Sequence, residues 1–146
     1  MTDDLHGALA RYTEFFSTLT PAGLDRLDEV FCADARFCDP FNDVRGTEAI
    51  GRVFRHMYES CEEARFIVCE SALCGDIGLL RWQFHYRLRR YSPQRERRID
   101  GMSRVHFAAD GRVIEHVDHW DAAGQVYESL PLLGGLLRWL RGRLAA

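Results

Sequence analysis

A chain of 146 residues with 47% hydrophobic and 28% charged residues has the size and make-up of one globular domain, far from the low-hydrophobicity regime of disordered chains. A formal net charge of −3 and a pI near 6.1 give no positive surplus for gripping a phosphate backbone, so nucleic acid is not an expected partner. The five cysteines (Cys32, Cys38, Cys61, Cys69 and Cys74) are odd in number, form no CxxC pair and sit mostly in apolar runs, which reads as reduced thiols. With an acidic start and no apolar run long enough to cross a bilayer, the expected location is cytoplasmic.

Leu5, Ala8, Leu9, Tyr12, Phe15, Phe16 and Leu19 recur at steps of three and four and predict an amphipathic first helix, ended by Thr20-Pro21. Pro21 suits the first turn of a second helix, because the N–H it lacks is one a helix start leaves unpaired. Leu24, Leu27, Val30 and Phe31 carry that helix toward Ala33-Asp34. A short strand is expected over 35–40 and a loop over 42–46. Thr47 followed by Glu48 reads as the cap of a third helix with Ile50, Val53, Phe54, Met57, Tyr58 and Cys61 on its apolar face.

From Arg65 the period changes to two: strands over 66–73 and 77–90 about a Gly75-Asp76 turn, then a hairpin tip at Ser92-Pro93-Gln94. A further strand runs to Phe107, and Ala109-Asp110-Gly111 turns the chain into a last strand over 112–120. Three helices followed by a meander argue for an α+β domain over 1–130, its helices packed on one face of a curved antiparallel sheet. The tail, 131–146, is separate: Leu132, Leu133, Leu136, Leu137 and Leu140 at helical spacing, with Arg138, Arg141 and Arg143 and no acid, predict a basic amphipathic helix. Such a helix is expected to pack on its own domain or across a dimer, with contact to an anionic membrane surface as the alternative.

Several short strings have a common affinity. Arg11-Tyr12, Phe37-Cys38-Asp39-Pro40-Phe41, Gly46-Thr47-Glu48-Ala49-Ile50, the run from Phe107 to Val113, and His119-Trp120 together resemble the SnoaL-like and ketosteroid-isomerase-like branch of the nuclear-transport-factor-2-like superfamily, over about residues 5–129. The resemblance implies a cone-shaped fold around an apolar pocket, commonly dimeric through the outer sheet face. It also implies that Asp39 matches the carboxylate that shuttles a proton in the steroid isomerases, and Tyr12 the phenol that donates to the developing enolate oxygen. Those isomerases add a protonated Asp beside the phenol. Here the corresponding position is Ser103, and the nearest acid, Asp100, falls on the opposite face.

If Trp120 faces the pocket, as the matching Trp does in that family, period two puts His116 and Asp118 beside it and Glu115, Val117 and His119 on the other face. Asp118 then matches the working Asp that epoxide hydrolases of the superfamily place two residues before this aromatic, and Arg98 with Asp100 has the Arg-x-Asp spacing they also need. The candidate catalytic set is Asp39, Asp118, His116 and Tyr12, and the candidate pocket lining is Trp120, Phe16, Phe37, Phe54, Tyr58 and Ser103. For each, a structural role competes: Asp39 as a turn former, Tyr12 as core, His116 and Asp118 as a satisfied pair.

His116 and His119 point to opposite sides of a strand and cannot share one ion, and no HExxH, GxGxxG, Walker A or GxSxG string exists, so neither metal nor organic cofactor is expected. The function these readings favour is acid–base chemistry of isomerase, cyclase or epoxide-hydrolase type on an apolar cyclic molecule such as a steroid, terpenoid or polyketide. The competing expectation is a non-catalytic binding or dimeric assembly module.

Overall fold

The computed structural model describes residues 2–90 and 93–146. Helix α1 (Thr2–Ser17) buries Ala8, Leu9, Tyr12 and Phe16, the inward half of the predicted stripe. A 3-10 helix (Pro21–Glu29) follows, in place of the expected α-helix reaching Ala33. Leu24 and Leu27, three apart, both turn inward, the alignment that three residues per turn imposes. The helix stops because Phe31, fully buried, already belongs to strand β1 (Phe31–Cys38), and the preceding Val30 carbonyl accepts the Val113 N–H.

The stretch expected as loop contains a short strand, β2 (Asp43–Arg45), paired antiparallel to β1 with Phe37 opposite Val44. Helix α2 (Thr47–Ser60) is not capped by the Thr47 hydroxyl: its cap is Gly46, whose φ of +88° suits a residue without Cβ. The Gly46 carbonyl accepts the Ile50 N–H, while its own N–H donates to the Ala35 carbonyl. Ile50 and Phe54 then fall on the core.

Strands β3 (Cys61–Cys74), β4 (Ile77–Leu88), β5 (Arg97–Phe107) and β6 (Val113–His119) form the expected antiparallel meander, giving a six-stranded sheet in the order β2-β1-β6-β5-β4-β3. One pair departs from the all-antiparallel expectation. β1 runs parallel to β6, with Phe37 opposite His116, and α2 with the four intervening strands supplies the long crossover such a pair needs. Of the expected hairpin tip at Ser92-Pro93-Gln94, Ser92 lies outside the described residues.

The facing of β4, open in the sequence, is resolved by burial: Trp82, Phe84 and Tyr86 pack inward, and Arg81, Gln83, His85 and Arg87 lie on the outer face. The Trp82 indole lies over Gly101, its partner across β4 and β5, so closely that a Cβ there would overlap the ring. Gly101→Ala is therefore expected to displace Trp82 and to destabilise the fold by about 2 kcal/mol, read as a lower urea midpoint with an unchanged slope.

After β6, helix α3 (Ala122–Gln125), capped by the Asp121 carboxylate, and a 3-10 turn (Tyr127–Ser129) lead into α4 (Leu133–Leu144). This last helix docks by its polar edge. Arg138 donates to the Glu128 carbonyl at 2.6 Å, Arg141 pairs with the Glu128 carboxylate, and Gly134 meets the Glu128 carbonyl with no room for a side chain. Leu132, Leu136, Trp139 and Leu144 stay exposed, with the Arg143 guanidinium 5.5 Å from the Trp139 ring centre. No helix among the described residues is long and apolar enough to cross a membrane.

Candidate functional site

Two adjoining voids lie between the helices and the concave face of the sheet. The inner one, about 30 Å³, is lined by Tyr12, Thr13, Phe16, Ser103 and His116 among others. The outer one, about 300 Å³, holds Asp39, Trp120 and a wall of aromatic rings. Phe37, Phe54, Phe66, Trp82 and Asp118 border both, so Asp118 stands where they meet.

β6 places His116 and Asp118 on one face, two residues apart, and their order of bonding is readable from the donors. Trp82 Nε1 donates to Ser103 Oγ at 2.7 Å, and the Ser103 hydroxyl donates in turn to Asp118 Oδ1 at 2.5 Å. His116 Nε2 lies 2.7 Å from the same oxygen. With Asp118 ionised, Nε2 carries the ring proton and Nδ1 is an acceptor, which receives the Tyr12 hydroxyl at 2.6 Å. Every partner points its proton toward one carboxylate or one step behind it.

Burial hardens this arrangement. Tyr12, Ser103 and His116 are 1%, 2% and 5% exposed. The His116 ring is stacked on Phe37 at 4.8 Å, so it has little freedom to turn. Burial, and then the charge of Asp118, push the Tyr12 phenol well above its ordinary value, which keeps it a neutral donor. The phenol that the resemblance implied for a developing oxyanion thus gives its single proton to His116. Asp118 Oδ2, by contrast, has no hydrogen-bond partner among the described residues.

Asp39 shares the outer cavity but is held differently. Its Oδ1 accepts the Phe41 and Asn42 backbone N–H groups, both at 2.7 Å, and the Asn42 amide reaches both carboxylate oxygens. This is the side-chain turn that an Asp before Pro forms readily. Burial raises its pKa, those hydrogen bonds oppose the rise, and the Asp118 charge adds to it. Because the folded value is raised, the associated stabilisation is complete below the ordinary Asp value of about 4 and is lost as pH climbs through the folded value. Asp39→Asn, neutral throughout and able to offer Oδ1 to the same N–H groups, should match the wild type near pH 3 and exceed it in unfolding midpoint toward pH 7. Thermal scans across that range check the sign.

The remaining candidates separate. Trp120 lines the outer cavity, its ring 5.4 Å from Phe41. Phe16 and Ser103 border the inner void, and Phe37 and Phe54 border both. Tyr58, expected in the lining, borders neither: it sits on the side of α2 where its hydroxyl donates to the Leu19 carbonyl at 3.2 Å, and burial raises its pKa to about 12. Arg98 and Asp100 face away from the cavities and pair with each other at 3.0 Å, half exposed. His119 is exposed, and no group of three or more His, Cys, Asp or Glu among the described residues is placed to hold a metal ion.

Sequence reasoning missed Phe66, Phe84 and Tyr86 as wall residues, and Trp82 as the donor behind Ser103. The signal was the alternation Trp82-Phe84-Tyr86, which lacks a facing until the register with Gly101 and Ser103 is known.

Residues 12–116 match the family model of the SnoaL-like domain. The chain belongs to the SnoaL-like family. Among solved structures, this SnoaL-like domain is similar to a Catenulispora acidiphila protein of ketosteroid-isomerase-like fold crystallised with trimethylamine. There the TM-score is 0.68 at 12% identity, over 82% of this chain and 88% of that one. A Jannaschia protein named as a candidate SnoaL-like polyketide cyclase gives a TM-score of 0.69 at 16% identity, over 84% and 88%. An LEH-like epoxide hydrolase of M. tuberculosis gives 0.67 at 15%, over 92% and 91%. At such identities the likeness carries the cone-shaped α+β fold and no chemistry. No curated protein matches the sequence.

Proposed function

We propose that this SnoaL-like domain is an acid–base enzyme of isomerase or cyclase type, acting on a small, largely apolar cyclic molecule, with Asp118 as the proton-transferring group. One observation carries the reading: Asp118 has Oδ1 fixed by Ser103 and His116 while Oδ2 is unpartnered among the described residues, on the wall of a cavity of about 300 Å³. A carboxylate clamped through one oxygen presents the other in a set direction, which is what a base needs to meet a C–H or O–H without reorganising. His116 is a positioning residue, its Nε2–H directed at Asp118 Oδ1 and its Nδ1 receiving the Tyr12 hydroxyl. The aromatic wall gives an apolar ring its binding surface. The epoxide-hydrolase variant is set aside because Arg98 and Asp100 face away from the cavity.

Deuterium exchange tests this even while the substrate is unidentified. A panel of cyclic ketones and β-dicarbonyls is incubated with the protein in D₂O and read by mass spectrometry. Uptake at acidic C–H positions above the buffer rate, abolished when Asp118 is changed, supports the proposal. Ligands that shift cavity resonances yet show no exchange would instead favour a binding module.

A further inference from the structure

We infer that the ligand of the outer cavity carries a cationic nitrogen, protonated or quaternary, on an apolar body. This rests on the cavity being a ligand site, as proposed above, and adds the charge of what enters it.

The lining has an unbalanced composition. Asp39 and Asp118 both border the cavity, and among the described residues no Arg borders it, although Arg is abundant on the outer sheet face. Asp118 lies close enough that its charge contributes to the raised pKa of Asp39. The basic side chain that does border the cavity, His56, is exposed on α2. Two carboxylates facing one largely apolar space repel an anion and favour a cation.

The rings complete the case. Phe37 and Phe41 flank Asp39 in the chain, and Trp120 follows Asp118 by two residues on the same side, so each carboxylate has aromatic neighbours that also border the cavity. Aromatic faces are negative at their centres and attract ammonium groups most strongly when water is excluded. Four donors around the two carboxylates are already bound, Ser103 to Asp118, Trp82 to Ser103, Tyr12 to His116 and Asn42 to Asp39. A positive nitrogen in the substrate supplies the counter-charge to the carboxylates, and its field stabilises the electron pair left on an adjacent carbon when Asp118 takes the proton.

The test compares two probes of one shape that differ only in charge, phenyltrimethylammonium and tert-butylbenzene, titrated into the protein and followed by NMR shifts of cavity residues and by calorimetry. The charged probe is expected to bind about tenfold more tightly or better. Asp118→Asn should reduce that preference at least several-fold while leaving the neutral probe's affinity unchanged, which also shows that the variant is folded. Equal affinity for the two probes, or preference for the neutral one, overturns the inference and leaves the cavity as a binding site for neutral molecules. If neither probe perturbs the cavity, the ligand site itself is wrong, and the functional proposal falls with this one.

Discussion

Asp118→Asn is expected to fold like the wild type, to within about 1 kcal/mol, and to lose roughly 10²–10⁴ in proton-transfer rate. The two halves of that expectation come from the two oxygens. In the variant, the amide oxygen can take the place of the carboxylate Oδ1 that accepts from Ser103 at 2.5 Å and from His116 at 2.7 Å, so the buried network keeps its bonds. The amide NH₂ then occupies the Oδ2 position, and a group that accepts a proton becomes one that can only donate. Exchange of substrate deuterium measured beside urea unfolding separates the outcomes. A variant that unfolds early makes Asp118 a structural residue, and one that exchanges at the wild-type rate removes it from the chemistry. The loss is tied to the reacting group only if stability holds while exchange collapses.

The two carboxylates show how far the residues alone reach. Period two along β6 is enough to set His116, Asp118 and Trp120 on one face, because alternation in a strand is a local property. The α1 stripe likewise predicts that Tyr12 turns inward, where it is 1% exposed. What the sequence does not contain is direction of donation. The bond from Tyr12 to His116 joins residues 104 positions apart and depends on how α1 packs over the sheet. The strand Trp82-Phe84-Tyr86 has two chemically plausible faces, since its Arg, Gln and His alternates are amphipathic as well, and only the register with β5 chooses between them. The 3-10 helix reads as α for a similar reason: Leu24 and Leu27 fit both periods, and the outcome is decided by Phe31 being drawn into the sheet. In each case the local pattern is sound and the missing information is a tertiary contact.

The largest loss of stability is expected from His116→Ala, about 3 kcal/mol in urea unfolding. Removing the imidazole deletes the ring stacked on Phe37 at 4.8 Å and opens a void beside one that is already about 30 Å³. It also leaves the buried Tyr12 hydroxyl without its acceptor, while Asp118 Oδ1 keeps Ser103. The orphaned hydroxyl accounts for the part that can be isolated. Tyr12→Phe alone should cost about 1 kcal/mol or more, because it strands the His116 Nδ1 acceptor instead. The double variant has neither orphan, so its destabilisation should fall short of the sum of the singles by about 1–2 kcal/mol. Strict additivity would mean that the 2.6 Å contact contributes nothing to holding the ring, and His116 would then owe its position to its bond with Asp118 and to packing against Phe37 and Phe16.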